Sequence, residues 1–163
     1  MGIKLIQAQV LNTSAASVTF SNIPQQFKSL KLLISSKRDL PSGTGCADIY
    51  FNGSQANLSS RILEASGSSV SSSTPSTGMY GQAGENSEAG WASAEISIPN
   101  YSGSTNKPFS SDAVREANAT TAYSDLVAGL WSNTAAITSI TVKPEDSSSK
   151  WVIGSSFYLY GVY

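Results

Sequence analysis

Apolar side chains return at every second residue over much of this chain, a period that suits a half-buried strand and not a helix. Leu30, Leu32 and Ile34 alternate with Lys31, Leu33 and Ser35. Ile49 and Phe51 flank Tyr50 ahead of Asn52-Gly53, a dipeptide that favours a tight hairpin turn. Ala92, Ala94, Ile96 and Ile98 alternate with Ser93, Glu95 and Ser97 up to Pro99. Thr138, Ile140 and Val142 interleave with Ile137, Ser139 and Thr141, and Pro144 ends that run. Phe157, Leu159 and Gly161 alternate with Tyr158, Tyr160 and Val162. Weaker alternations predict further strands near 3–11, 17–20, 59–65, 108–117 and 124–131. Nine or ten short strands with turn signals between them indicate an all-β, antiparallel β-sandwich, jelly-roll-like in its pattern.

Charge supports this class. Only 13% of the residues are charged, about half the usual share, and Ser, Thr, Gly and Asn stand where a helix would carry Lys, Glu and Arg. Only 112–118 has helix-forming composition, and two turns without an apolar stripe suit a strand as well. With 163 residues and no repeat, a single domain over 1–163 is expected. The segment 66–90, SGSSVSSSTPSTGMYGQAGENSEAG, holds almost no core-forming residues and reads as one long polar loop. Met79 and Tyr80 are its sizeable apolar groups and the expected loop contacts.

Several chemistries lack their parts. There is no histidine and a single cysteine, Cys46, so Ser-His-Asp and Cys-His arrangements are impossible, no internal disulfide forms, and the usual zinc ligands are missing. Ser147-Ser148-Ser149-Lys150 matches Ser-x-x-Lys only as a pattern in a polar loop. Glu85-Asn86-Ser87-Glu88 and Glu145-Asp146 are the densest oxygen-ligand candidates, but neither has an ordered calcium-loop spacing. Asp48, Glu95 and Asp125 lie in predicted strands, where placement on a polar face accounts for each. No phosphate-cradling glycine loop occurs. The reading is therefore no catalytic residues, no metal and no cofactor. The formal net charge of −1 leaves no footprint for nucleic acid. The basic neighbourhood Lys28, Lys31, Lys37 and Arg38 reads as a solvated strand face. No stretch approaches the ~20 apolar residues of a membrane span, and the first residues lack signal-peptide anatomy.

Trp91, Trp131 and Trp151 lie near strand ends, where rings plug a sandwich core more often than they stack on sugars. The run Phe157 to Tyr163 has aromatics on both faces of one strand, so that strand is either central or covered by another subunit.

Two sets of motifs resemble tailed-bacteriophage virion structural proteins. One is Gly129-Leu130-Trp131, then Ala136-Ile137-Thr138-Ser139-Ile140, then Phe157-Tyr158-Leu159-Tyr160-Gly161. The other is Phe20-Ser21-Asn22-Ile23-Pro24-Gln25-Gln26-Phe27 leading into Leu30-Lys31-Leu32. The resemblance implies a virion component made in a bacterial host: a capsid decoration (cement) protein or a small tail protein, with no catalytic residues to carry over. Its expected partners are the major capsid protein and itself, as a homotrimer. The alternative is a tail-fibre or receptor-binding module using the 66–90 segment on a host surface glycan, in contact with tail proteins. A free carbohydrate-binding domain comes third. The expected interface residues are Ile3, Leu5, Tyr158, Tyr160 and Tyr163.

Overall fold

A computed structural model describes residues 2–39, 45–75, 78–85, 90–115 and 122–163. The strands are β1 (Ile3–Val10), β2 (Val18–Phe20), β3 (Ser29–Arg38), β4 (Cys46–Phe51), β5 (Leu58–Ser66), β6 (Ser69–Ser73), β7 (Met79–Gln82), β8 (Gly84–Glu85), β9 (Ala92–Pro99), β10 (Lys107–Arg115), β11 (Tyr123–Trp131), β12 (Ile140–Pro144) and β13 (Ser156–Val162). The fold is all-β, an antiparallel β-sandwich. A nine-stranded sheet runs β1-β13-β3-β9-β10-β11-β5-β6, with the two-residue β8 joined to the end of β3. A four-stranded sheet, β2-β12-β4-β7, packs against it. The chain alternates between the sheets through β1, β2, β3, β4 and β5 and again through β11, β12 and β13, which is the jelly-roll-like feature of its course.

The period of two becomes the core. Leu30, Leu32, Ile34, Ala94, Ile96, Ile98, Phe157 and Leu159 point inward from the large sheet and meet Val18, Phe20, Ile49, Phe51, Ile140 and Val142 from the small one. Asn52 and Gly53 have φ of 51° and 77°, the double left-handed geometry of a type I′ turn, and the turn closes with Phe51 and Ser54 bonded to each other. Residues 112–115 of the ambiguous 112–118 segment continue β10 as strand; 116–118 lie outside the described residues.

The motifs quoted for the resemblance are packing devices. A Cβ on Gly129 would stand 2.0 Å from Cζ of Phe109, its cross-strand partner, so the ring lies on bare backbone. Gly161 does the same for Phe27, whose ring would be 2.3 Å from a Cβ there. The Asn52 side chain donates to Ala136 O at 2.9 Å and accepts from the Thr138 and Ser139 amides at 2.9 and 3.1 Å. Gln25 donates to Ile137 O at 3.1 Å, and the Tyr101 hydroxyl donates to Pro24 O. Residues 136–139 are therefore pinned coil feeding β12, not strand, although Ile137 is fully buried.

The 66–90 segment departs from the expected structureless loop. It finishes β5 and supplies β6, β7 and β8. The serines of β6 pair with β5, from Ile62↔Ser73 to Ser66↔Ser69. Backbone ladder bonds need no apolar side chains, so an edge strand forms from a sequence without an alternation.

Candidate functional site

Two surfaces gather the residues with functional potential. The first is a cleft of about 520 Å³ at one end of the sandwich. β4 contributes Cys46 and Asp48, β5 contributes Glu64, β11 contributes Asp125, and Glu145 follows β12. Ser71, Ser73, Thr74, Pro75 and Met79 from the serine-rich segment line its other wall. The polar-face placement expected for Asp48 and Asp125 is corrected here: they are 3% and 1% exposed. Asp125 shares the parity of Val127 and Trp131, which point inward, and that parity was the available signal. Asp48 shares parity with Cys46 and Tyr50, away from Ile49 and Phe51, so only its tertiary surroundings bury it. Glu95 lies elsewhere, on the outer face of the large sheet, paired with Lys31 at 2.6 Å.

The electrostatics of the cleft are those of crowded acids. Burial pushes the Cys46 thiol up to about 12, with Glu145, Asp125 and Glu64 adding to the effect and Arg38 opposing it. A thiol held that high is protonated at neutral pH and is a poor nucleophile. Burial also raises Glu145, and the charge of Asp48 raises it further. Behind the cleft, Arg38 is 2% exposed and its Nη1 donates to Asp146 Oδ2 at 2.9 Å. Arg38 ends the inward parity of Leu32, Ile34 and Ser36, so it leaves the solvated face expected for the basic neighbourhood. Asp146 is pushed up by burial, but hydrogen bonds from Ser149 and Ser148 and the Arg38 charge outweigh that and bring it to about 2. Among the described residues no group of three or more His, Cys, Asp or Glu side chains could hold a metal ion. The cluster Glu85 to Glu88 lies outside the described side chains.

The second surface is the outer face of the large sheet. β1 pairs with β13 and sets Ile3 opposite Val162, Leu5 opposite Tyr160 and Ala8 opposite Tyr158. A bulge between Leu5 and Gln7 switches the strand's parity, turning Ile6 toward the core while Ile3, Leu5, Ala8 and Val10 share the outer face. Ile3 is 59% exposed and Leu5 48%. Farther across, Leu126 and Leu63 sit directly opposite each other and are both exposed. The outer side of the small sheet is different in kind: Thr19 and Thr141 share a hydroxyl bond of 2.8 Å, and Lys143 lies over the Tyr50 ring.

Of the residues singled out in the sequence, Ile3, Leu5, Tyr158 and Tyr160 are thus brought to one patch. Tyr163 is exposed beside it, its ring 4.9 Å edge-on to Phe27. Tyr80 is corrected: its side chain is fully buried between the sheets and offers no surface contact. Met79 is half-buried in the wall of the acidic cleft. Trp131 and Trp151 are buried core rings, whereas Trp91 is exposed. Sequence reasoning missed Glu64, Leu63 and Leu126, because nothing local tells which outward residues of distant strands become neighbours.

The chain matches no family model, no curated protein and no solved structure.

Proposed function

We propose that this protein is a structural component of a tailed-bacteriophage virion, a capsid decoration protein that acts by binding other proteins and not by turnover. The observation that carries the reading is the outer face of the large sheet. There β1 and β13, far apart in sequence, assemble Ile3, Leu5, Tyr158 and Tyr160 into one apolar patch, with Ile3 and Leu5 exposed and both tyrosines half-buried. Exposed contiguous apolar surface of this kind marks an interaction site. The motifs resembling virion proteins stabilise the sheet that presents the face, since Gly161 and Gly129 both lie within it. A protein that binds only the assembled shell stabilises that shell by mass action. The partners on this reading are the major capsid protein and further copies of the chain.

The test is the purified particle. A decoration protein is present in hundreds of copies by quantitative gel and labels the head in a density map. A few tens of copies on the tail alone would end the decoration reading, and absence from washed particles would end the virion reading altogether.

One observation favours a second reading, recognition of a host surface glycan by a tail protein. The serine-rich segment and four carboxylates line the same cleft, and hydroxyls with carboxylates are suited to bonding sugar hydroxyls. Binding on a glycan array that is lost in Glu64→Gln supports it; an array without hits counts against it.

A further inference from the structure

The large sheet ends in two strands of different kinds. β6 at one edge is five residues, four of them serine. β1 at the other is eight residues, with Ile3, Leu5 and Val10 59%, 48% and 60% exposed and Lys4 as its one charge. Among the described residues no strand pairs with the outer side of β1. A long apolar edge of this kind is a template for one more strand.

The backbone sets which residues would make that ladder. Tyr163 N–H donates to Gly2 O, and Leu11 N–H donates to Ser155 O, so Gly2 and Leu11 turn toward β13. Counting inward by twos from each end, Lys4, Gln9 and Gln7 do the same. Ile3, Leu5, Ala8 and Val10 therefore turn their N–H and C=O groups outward. These four are symmetric about the Ile6–Gln7 peptide, because the bulge between Leu5 and Gln7 puts its extra residue in the middle of the strand.

A second copy, run antiparallel about a two-fold axis through that peptide, meets all four. Ile3 stands opposite Val10 and Leu5 opposite Ala8, twice over, which makes about eight backbone bonds, close to the number in a typical interface. The step from Leu5 to Ala8 across the bulge has the same length in both copies, so the register holds through the axis. Symmetry secures that match for a copy of β1 and for no other partner strand.

The side chains agree with this register. At the axis, Ile6 packs toward the core and Gln7 donates to Ser21 O, so both are engaged within their own copy. Lys4 stands opposite Gln9, an amide able to accept from its ammonium, and no like charges of β1 face each other. On the outer face Tyr160 and Leu5 of one copy run on into Ala8 and Tyr158 of the other as one row.

We infer that two copies of this chain join edge to edge through β1, about a two-fold axis perpendicular to the sheet, and form one continuous antiparallel sheet. This deepens the contact reading proposed above and rests on it, since Ile3 and Leu5 belong to the patch named there. The pairing leaves the outer face open and doubles that patch. It is a two-fold pair and not the three-fold ring expected from the resemblance.

A strand of about 26 Å makes a narrow contact, weaker than a standard interface, so the test is sedimentation equilibrium of the full chain at about 100 µM. Wild type is a dimer. Ala8→Pro removes an outward N–H and sets a ring in the partner strand's path while keeping the bonds to β13; it is monomeric with the wild-type circular dichroism spectrum. Leu5→Lys raises the dissociation constant at least about tenfold by placing a charge in the shared row. Register is read by cross-linking under oxygen in a Cys46→Ser background. Lys4 and Gln9 of the two copies form a pair with Cα atoms about 4.5 Å apart, within disulfide reach. A mixture of Lys4→Cys and Gln9→Cys therefore cross-links faster than either variant alone. A monomeric wild type, dimers that survive Ala8→Pro, or a single variant that cross-links as fast as the mixture would overturn the inference. Monomers that nonetheless decorate particles would sink the paired copy and leave the virion reading standing; dimers of a protein absent from particles would do the reverse.

Discussion

Replacing Gly129 by alanine tests the idea that the glycines of the recurring motifs are seats for aromatic rings. The added Cβ would lie 2.0, 2.2 and 2.4 Å from Cζ, Cε1 and Cε2 of Phe109, so the ring must retreat by more than an ångström to reach ordinary contact. It has little room, because Phe51 stands edge-on behind it at 5.6 Å and is itself 5.7 Å from Trp131. Overpacking in a close-packed core costs about 1–3 kcal/mol, and a clash with a ring backed by a second that is itself backed by a third belongs at the upper end, about 3 kcal/mol. For a chain of this length that lowers Tm by about 6–12 °C. Phe109→Leu removes all three clashing atoms and by itself costs about 1–2 kcal/mol in lost burial and ring contact. The double variant should therefore lose about 2 kcal/mol, well short of the sum of the singles, a coupling expected of residues in direct contact. Urea unfolding followed by tryptophan fluorescence, with unchanged m values, measures all three. Additive losses, or a Gly129→Ala protein within about 0.5 kcal/mol of wild type, would refute the reasoning.

Two further outcomes follow from the acidic end of the sandwich. Asp146 falls from its ordinary 3.8 to about 2, so its contribution is complete above about pH 4 and disappears as pH falls toward 2. With its side chain 32% exposed, solvent screening reduces that contribution to about 1 kcal/mol. The stability gap between wild type and Asp146→Asn should accordingly close between pH 4 and pH 2 in urea titrations, and a gap independent of pH would contradict the assignment. Cys46, with its thiol at about 12, should react with a thiol reagent at pH 8 on the order of a thousandfold more slowly in the native protein than in urea. Equal rates in the two states would mean that the cleft does not bury it.

Much of the strand inventory was legible because alternation is local. Leu30 to Ile34, Ala92 to Ile98 and Phe157 to Gly161 carry their inward face in their own parity, and each points as its parity indicates. The candidate site was legible only in part. Ile3, Leu5, Tyr158 and Tyr160 were recognisable as apolar residues of the first and last strands, but not as sharing an outer face. That Leu5 faces Tyr160 depends on a register between opposite ends of the chain and on a bulge. β6 and β7 carried no alternation, since their place comes from backbone bonding to β5 and β4. Tyr80 looked like an exposed ring in a polar loop, yet β7 carries it between the sheets.

For the alternating strands, the amino-acid order thus determined which side chains face the core, because a pleated backbone sends neighbours to opposite sides whatever it pairs with. It also determined the absence of histidine and the scarcity of charge, and with them the chemistry that has no parts here. Only the tertiary structure decided which strands became neighbours. That choice gathered residues between Ile3 and Val162 onto one outer face and crowded Asp48, Glu64, Asp125 and Glu145 around one cleft. The physical reason is that register between distant strands is selected by how the whole core closes, a sum over contacts that no local window of sequence contains.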